Sequence, residues 1–266
     1  MRETIHLYGR YFGLSIRGQM QYRASFVLQS LGQFFGVGIE FVGILALFHR
    51  FGTLRGWTLA EVALLYGIVN LAFALAEAFG RGFDQFSAMA RTGDFDRLLL
   101  RPRSTALQVS AQEFQLRGGR FVQGILALLW AAHALAVTWT AAKVALLLAS
   151  IFGGACVFYG LFVFQATACF WTVESLEIWN AVTYGGTATA QYPPTIYRPW
   201  FRRFFTFVVR LASMNYLTAS AIIGRGAALG VPPLLQWTAP LIGVGFLLVS
   251  LGAWRFGERH YRSTGS

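Results

Sequence analysis

Three ionisable side chains stand inside long apolar runs of this chain: Glu40, Glu77 and Arg210. An ionised group at mid-bilayer costs at least about 2.5–3.5 kcal/mol on insertion scales, so each must face protein or water if its run crosses lipid. Glu77 is spaced i, i+4 from Arg81, which predicts a local ion pair; contact with a substrate is the other reading. Glu40 has no local partner, which leaves lining of a pathway and pairing with another element both open. Arg210 enters its run about four residues from the start, some 6–10 Å deep. It either snorkels to headgroups beside Arg202 and Arg203, or pairs with a glutamate or an anionic headgroup.

Covalent chemistry is not what the remaining residues offer. The only lysine, Lys143, lies in Ala-Ala-Lys-Val-Ala without the glycines of a phosphate-binding P-loop. His6, His49, His133 and His260 form no i, i+4 pair and join no cysteine cluster, so a zinc site is not expected, and no G-x-S-x-G elbow occurs. An intramembrane enzyme would need paired catalytic residues at one depth, and the sequence places none. Cys156 and Cys169 are 13 positions apart in one apolar run. On a helix that is roughly 20 Å, beyond disulfide reach.

The elements that hold these residues follow from composition. Hydrophobic residues are 56% of the 266 and charged residues 12%, with a mean hydropathy of +0.52. A soluble domain carries about 25% charged residues, so this chain cannot face water all round. The +11 net charge sits in arginine clusters between apolar runs, as juxtamembrane charge does. That pattern argues against a nucleic-acid partner, which would need a basic face on a soluble unit.

Crossing the roughly 30 Å hydrocarbon layer takes about 20 apolar residues. Runs at 24–48, 62–79, 121–142, 144–173, 204–224 and 234–254 meet that need and predict six transmembrane helices in one all-α membrane domain over residues 1–266. Residues 178–197 are also uncharged, but Gly185-Gly186, Pro193-Pro194 and their polar content predict a loop or short helices. Before the first span, Ile5, Tyr8, Phe12 and Ile16 recur at helical spacing, with Arg10 and Arg17 on another face. Residues 1–23 therefore read as an amphipathic helix in the headgroup layer, with no cleavable signal peptide. Seventeen basic residues then fall on the side of both termini and four on the other, with Arg210 within a span. The positive-inside rule makes both termini cytoplasmic in a bacterial-type inner membrane. Trp57, Trp139, Trp200 and Trp254 fall near the span ends, as interfacial aromatics do. Other aromatics suit a cavity for a planar or cationic amphiphile, with Glu40 supplying charge. Gly32 and Gly36 form a G-x-x-x-G pair that permits close helix approach.

The most informative polar segment is residues 80–120, on the cytoplasmic side between spans two and three. Asp94 is placed to cap a short helix over residues 95–100, and Pro102 discourages its continuation. Its leucines would be exposed in a solvated loop, suiting either a partner surface or the bilayer interface.

The stretch Gly-Asp-Phe-Asp-Arg-Leu-Leu-Leu-Arg-Pro over Gly93–Pro102 resembles the signature of ABC-2 type transporter permeases of a small bacterial subfamily. Phe170-Trp171-Thr172-Val173-Glu174-Ser175, Tyr192-Pro193-Pro194-Thr195-Ile196-Tyr197 and the Asn215-Tyr216 pair match as well, so the resemblance covers nearly the whole chain. It implies a permease subunit of an exporter, without catalytic, metal or cofactor residues of its own. ATP and Mg²⁺ would be bound by a separately encoded ATP-binding cassette subunit. A second, related permease would complete the pathway, as a heterodimer or a homodimer. The coupling helix that seats in a groove of the ATPase would be formed by Gly93, Asp94, Phe95, Asp96, Arg97, Leu98, Leu99, Leu100, Arg101 and Pro102. The expected substrate is amphiphilic, drug-like or lipid-like, with Glu40, Glu77 and Arg210 as candidate pathway residues. The family pattern carries prolines near positions 210 and 218, where this chain has Arg210 and Thr218. Any kink those prolines impose is not expected here. A secondary transporter or channel working without an ATPase is the competing class.

Overall fold

The computed structural model describes residues 2–172, 176–193, 215–225 and 232–261, and among them it is helical without a strand. Helix α1 (Arg2–Gln21) leads almost directly into α2 (Arg23–Phe51), which ends where Gly52 takes φ +69°. Thr58 and Glu61 then start α3 (Leu59–Asp84) through a reciprocal capping box: the Thr58 N–H donates to Glu61 Oε2 at 2.8 Å and the Glu61 N–H donates to Thr58 Oγ1 at 3.4 Å. Three short helices follow, α4 (Phe86–Thr92), α5 (Asp94–Leu99) and α6 (Thr105–Gln112). The long elements resume with α7 (Gly118–Ala134) and α8 (Ala141–Ala168), then α9 (Leu176–Ala190), a helical stretch at 215–222, and α10 (Pro233–Glu258).

Four helical segments among the described residues are long and apolar enough to cross a membrane: Arg23–Phe51, Leu59–Thr92, Ala141–Ala168 and Pro233–Glu258. The expected run at 121–142 is cut short. Helix α7 stops at Ala134, Ala136 adopts φ +45°, and Thr140 starts α8 by accepting from the Lys143 N–H at 3.3 Å. A chain that reverses between two helices needs a turn, and here apolar residues supply it because Lys143 is the only charge nearby. The expected fourth run likewise ends early, at the Ala168–Trp171 turn. Helix α9 runs through Gly185-Gly186, where a loop or short helices were expected. Of the run at 204–224, residues 204–214, including Arg210, lie outside the described residues.

Close approaches fix the helix directions. Gly67 meets Leu128 and Gly124 meets Leu71, so α7 is antiparallel to α3. Gly154 meets Ala72 and Gly80 meets Phe162, so α8 runs parallel to α3; Gly153 against Gly243 and Gly160 against Ser250 make α10 parallel to α8. Nearly every position of α3 is apolar, leaving it no face for water, and it forms the spine of two clusters. Val62 to Ile68 pack with Ile44, Phe48, Ala131 and Leu147 at one end. Val69 to Phe83 pack with Phe158, Phe162 and Trp254 at the other.

Helix α1 does not turn its whole apolar stripe to lipid. The Phe12 ring lies 4.2 Å from Phe114, Tyr8 Oη shares a 2.7 Å hydrogen bond with Ser110, and Ser15 Oγ donates to the Phe114 carbonyl at 2.8 Å. The protein itself offers the aromatic surface that this face needs.

Candidate functional site

The segment between α3 and α7 is built in two faces. Gly93, not Asp94, occupies the N-cap of α5, because the chain must reverse sharply after α4 and takes φ +73° there, a conformation only glycine adopts without strain. Asp94 falls in the first turn instead. It accepts a 2.7 Å hydrogen bond from Thr92 Oγ1 and pairs with Arg97 at 3.5 Å.

The leucines do not share one environment, which corrects the expectation that all would be exposed. Phe95 (0% exposed) and Leu98 (3%) point inward, whereas Leu99 (40%) and Leu100 (86%) point outward beside exposed Arg97, Arg101 and Pro102. The inward side chains enter an aromatic nest. Phe95 stands edge-on to Phe86 at 5.0 Å and to Tyr261 at 5.0 Å, and Phe86 stands 4.9 Å from Trp254, geometries that suit ring quadrupoles. Burial, together with the carboxylate of Asp96, pushes the Tyr261 phenol up to about 12. The C-terminal end of α10 thus backs the short helix directly. Gln108 Nε2 donates to the carbonyls of Leu98 and Arg103, both at 3.1 Å, and fixes the exit of the segment to α6. Helix α6 in turn lies hard against α3: a Cβ on Gly82 would collide with the Val109 carbonyl oxygen.

Glu77 has different partners from the expected one. Arg81 pairs with Asp84 and reaches Glu113 at 3.9 Å. Glu77, 5% exposed, instead meets Arg117 Nη2 at 3.3 Å and Arg120 Nε at 3.8 Å. Its side chain faces the start of α7, and the i, i+4 spacing to Arg81 carried no information about that neighbour. Arg120 also lies 4.7 Å over the Phe73 ring. The carboxylate of Asp84 accepts from Gln165 Nε2 at 3.3 Å, which ties α3 to α8.

Glu40 is exposed on α2, and its Oε2 accepts one hydrogen bond, from Gln191 Nε2 at 3.3 Å. Behind it, Tyr66 Oη donates to the Val37 carbonyl at 2.9 Å and accepts from Gln123 Nε2 at 3.0 Å. The structure therefore keeps Glu40 and Glu77 in separate environments, and Arg210 lies outside the described residues.

Two polar features were not anticipated. Glu61 pairs with Arg225 at 2.8 Å, with the guanidinium 5.2 Å over the Trp57 ring; the Thr58-x-x-Glu61 capping pattern was the available signal for Glu61. Ser150 Oγ lies 3.2 Å from Asn215 Oδ1 and 2.5 Å from Thr218 Oγ1, joining α8 to the stretch at 215–222. The sequence signal there was Thr218 itself, at a position where the resemblance implies a proline. Among the described residues no group of three or more His, Cys, Asp or Glu is placed to hold a metal ion.

A protein-family model described as ABC-2 family transporter protein matches residues 34–265, nearly the whole chain. No curated protein and no solved structure matches it.

Proposed function

This chain belongs to the ABC-2 transporter family, as a multi-pass membrane permease, a transport component and not itself a catalyst, and we propose that it forms half of the translocation pathway of an ATP-driven exporter. Permeases of this family typically work with ATPase partners. In this reading a separate subunit binds and hydrolyses ATP with Mg²⁺, and Gly93–Pro102 carries the force of its closure into the helices.

The observation that supports the reading is the division of α5 into a buried face and an exposed one. A transmitting element must be held rigidly on its own subunit and still offer a surface to another. Phe95 and Leu98 meet the first need, Leu99, Leu100 and Arg101 the second. Load applied at Leu100 would pass through Phe95 to Trp254 of α10 and through Phe86 to the foot of α3.

The alternating helix directions support a six-span arrangement with α7 as the third span; the run at 204–224 expected to be the fifth lies largely outside the described residues. The cluster of arginines at the end bearing α5 supports a reading in which that end faces the cytoplasm across a bacterial inner membrane. Glu40 marks the face for the pathway and for a second permease, a related chain or another copy. An ionised carboxylate does not remain against hydrocarbon, so protein or water must cover it. With aromatic neighbours such as Phe41 and Tyr66, it suits an amphiphilic substrate that carries positive charge.

Co-purification tests the coupling. Wild-type chain should retain its ATPase through detergent extraction. Leu99→Ser/Leu100→Ser should lose it while keeping the wild-type melting temperature. Retention of the ATPase by that variant would refute the assignment of α5.

A further inference from the structure

A groove of about 760 Å³ opens between α3, α8 and α10, bordered at one end by the start of α6 and by Tyr8 of α1. Helix α2 and Glu40 take no part in its wall, so it is separate from the proposed pathway. Its lining is graded along the axis of α10. Leu75, Phe152 and Leu247 line the deep end; Arg103, Arg255 and Glu258 line the mouth, at the level of the α5 segment. From Leu247 to Glu258 the α10 axis rises about 16 Å, close to one leaflet of a roughly 30 Å hydrocarbon layer. The wall at the mouth is fixed, because buried Trp254 donates its indole N–H to Thr105 Oγ1 at 3.0 Å.

The depth matches an acyl chain and the mouth matches a headgroup. Two guanidiniums suit a phosphate, with which arginine forms forked, charge-assisted hydrogen bonds. Glu258 stands three residues from Arg255 on the same face of α10, and its carboxylate offers an acceptor to a cation carried beyond the phosphate. A primary ammonium beside the phosphate satisfies it. A quaternary ammonium brings the same charge but no N–H to donate.

We propose that this groove is a resident phospholipid site selective for a phosphoethanolamine headgroup: an acyl chain lies along α8 and α10, the phosphate between Arg103 and Arg255, and the ammonium on Glu258. The lipid belongs to the leaflet that adjoins α5. It fills the cleft between α3, α8 and α10 beside the start of α6, and it is not the transported cargo.

Native mass spectrometry of the full chain, with whatever ATPase co-purifies, tests this in micelles doped with phosphatidylethanolamine, phosphatidylcholine or phosphatidylglycerol of identical acyl chains. Phosphatidylethanolamine should be retained several-fold more than either of the others. Glu258→Gln should erase its advantage over phosphatidylcholine, and Arg103→Gln/Arg255→Gln should lower retention of all three. Ala155→Phe, which fills the groove from α8, should abolish retention with helix content and ATPase binding preserved. Equal retention of the three lipids, preference for phosphatidylglycerol, or unchanged retention in Ala155→Phe would overturn the proposal. ATPase binding is read in the same spectra, so failure of this site is distinguishable from failure of the coupling assignment.

Discussion

Glu77 and Glu40 are the same residue type in two apolar helices, and the protein treats them oppositely. Glu77 is buried between two guanidiniums, one of which also lies over a phenylalanine ring. Glu40 is exposed and holds one amide. Their helices differ in the same way: the most apolar window of α3 with α4 is 83% buried, that of α2 17%. A carboxylate desolvated inside a subunit needs charge partners from that subunit. One left on an uncovered helix face is compensated by whatever arrives later. The comparison separates a charge paired inside the bundle from one left on its exposed surface.

Removing the buried charge should have the largest effect. Glu77→Gln leaves Arg117 and Arg120, both largely buried, without a counter-charge. Breaking such a pair typically costs about 3–5 kcal/mol. Thermal unfolding of the detergent-solubilised chain should show a clear fall in midpoint, and a variant that melts like wild type would remove Glu77 from the structural class.

The leucines of the Gly93–Pro102 segment repeat the contrast on a smaller scale. Leu98→Ala should cost about 2–3 kcal/mol through the cavity it leaves beneath Phe95, read as a lower midpoint. Leu100→Ala should leave the midpoint unchanged and lower coupled ATPase activity. If the two variants melt alike, α5 has no fixed inner face. Glu61→Gln comes next, at about 1 kcal/mol, because Arg225 is more than a third exposed and solvent screens the pair.

What the sequence could reveal follows the same line between local and non-local information. Runs of apolar residues dictate helices locally, and those at 24–48, 62–79 and 234–254 fall inside α2, α3 and α10. The turn at 135–140 was hidden because apolarity marks what lipid tolerates, not where a chain reverses. The partners of Glu77 were hidden because they lie forty residues and more along the chain, beyond any helical spacing. The split between Leu98 and Leu100 could not be read either, since it depends on Trp254 and Tyr261 arriving from the far end of the molecule. The resemblance at Gly93–Pro102 marks the segment, but not which of its side chains anchor it.

Glu40→Gln should have the smallest effect on stability and the sharpest one on function. On α2 it shares a face with Gly32, Gly36 and Gly43, where an added Cβ would meet no atom within 4 Å. A second permease lying on this stripe would approach closely and enclose the carboxylate. The substitution should therefore leave the melting midpoint of the solubilised chain unchanged. In proteoliposomes containing the ATPase it should lower substrate-stimulated hydrolysis, with basal hydrolysis retained. Gly36→Leu, which adds bulk to the same face without touching charge, should weaken permease–permease crosslinking and leave the midpoint of the single chain alone. Should Glu40→Gln instead lower that midpoint as Glu77→Gln does, the two glutamates would belong to one class, and the exposed face of α2 would need another explanation.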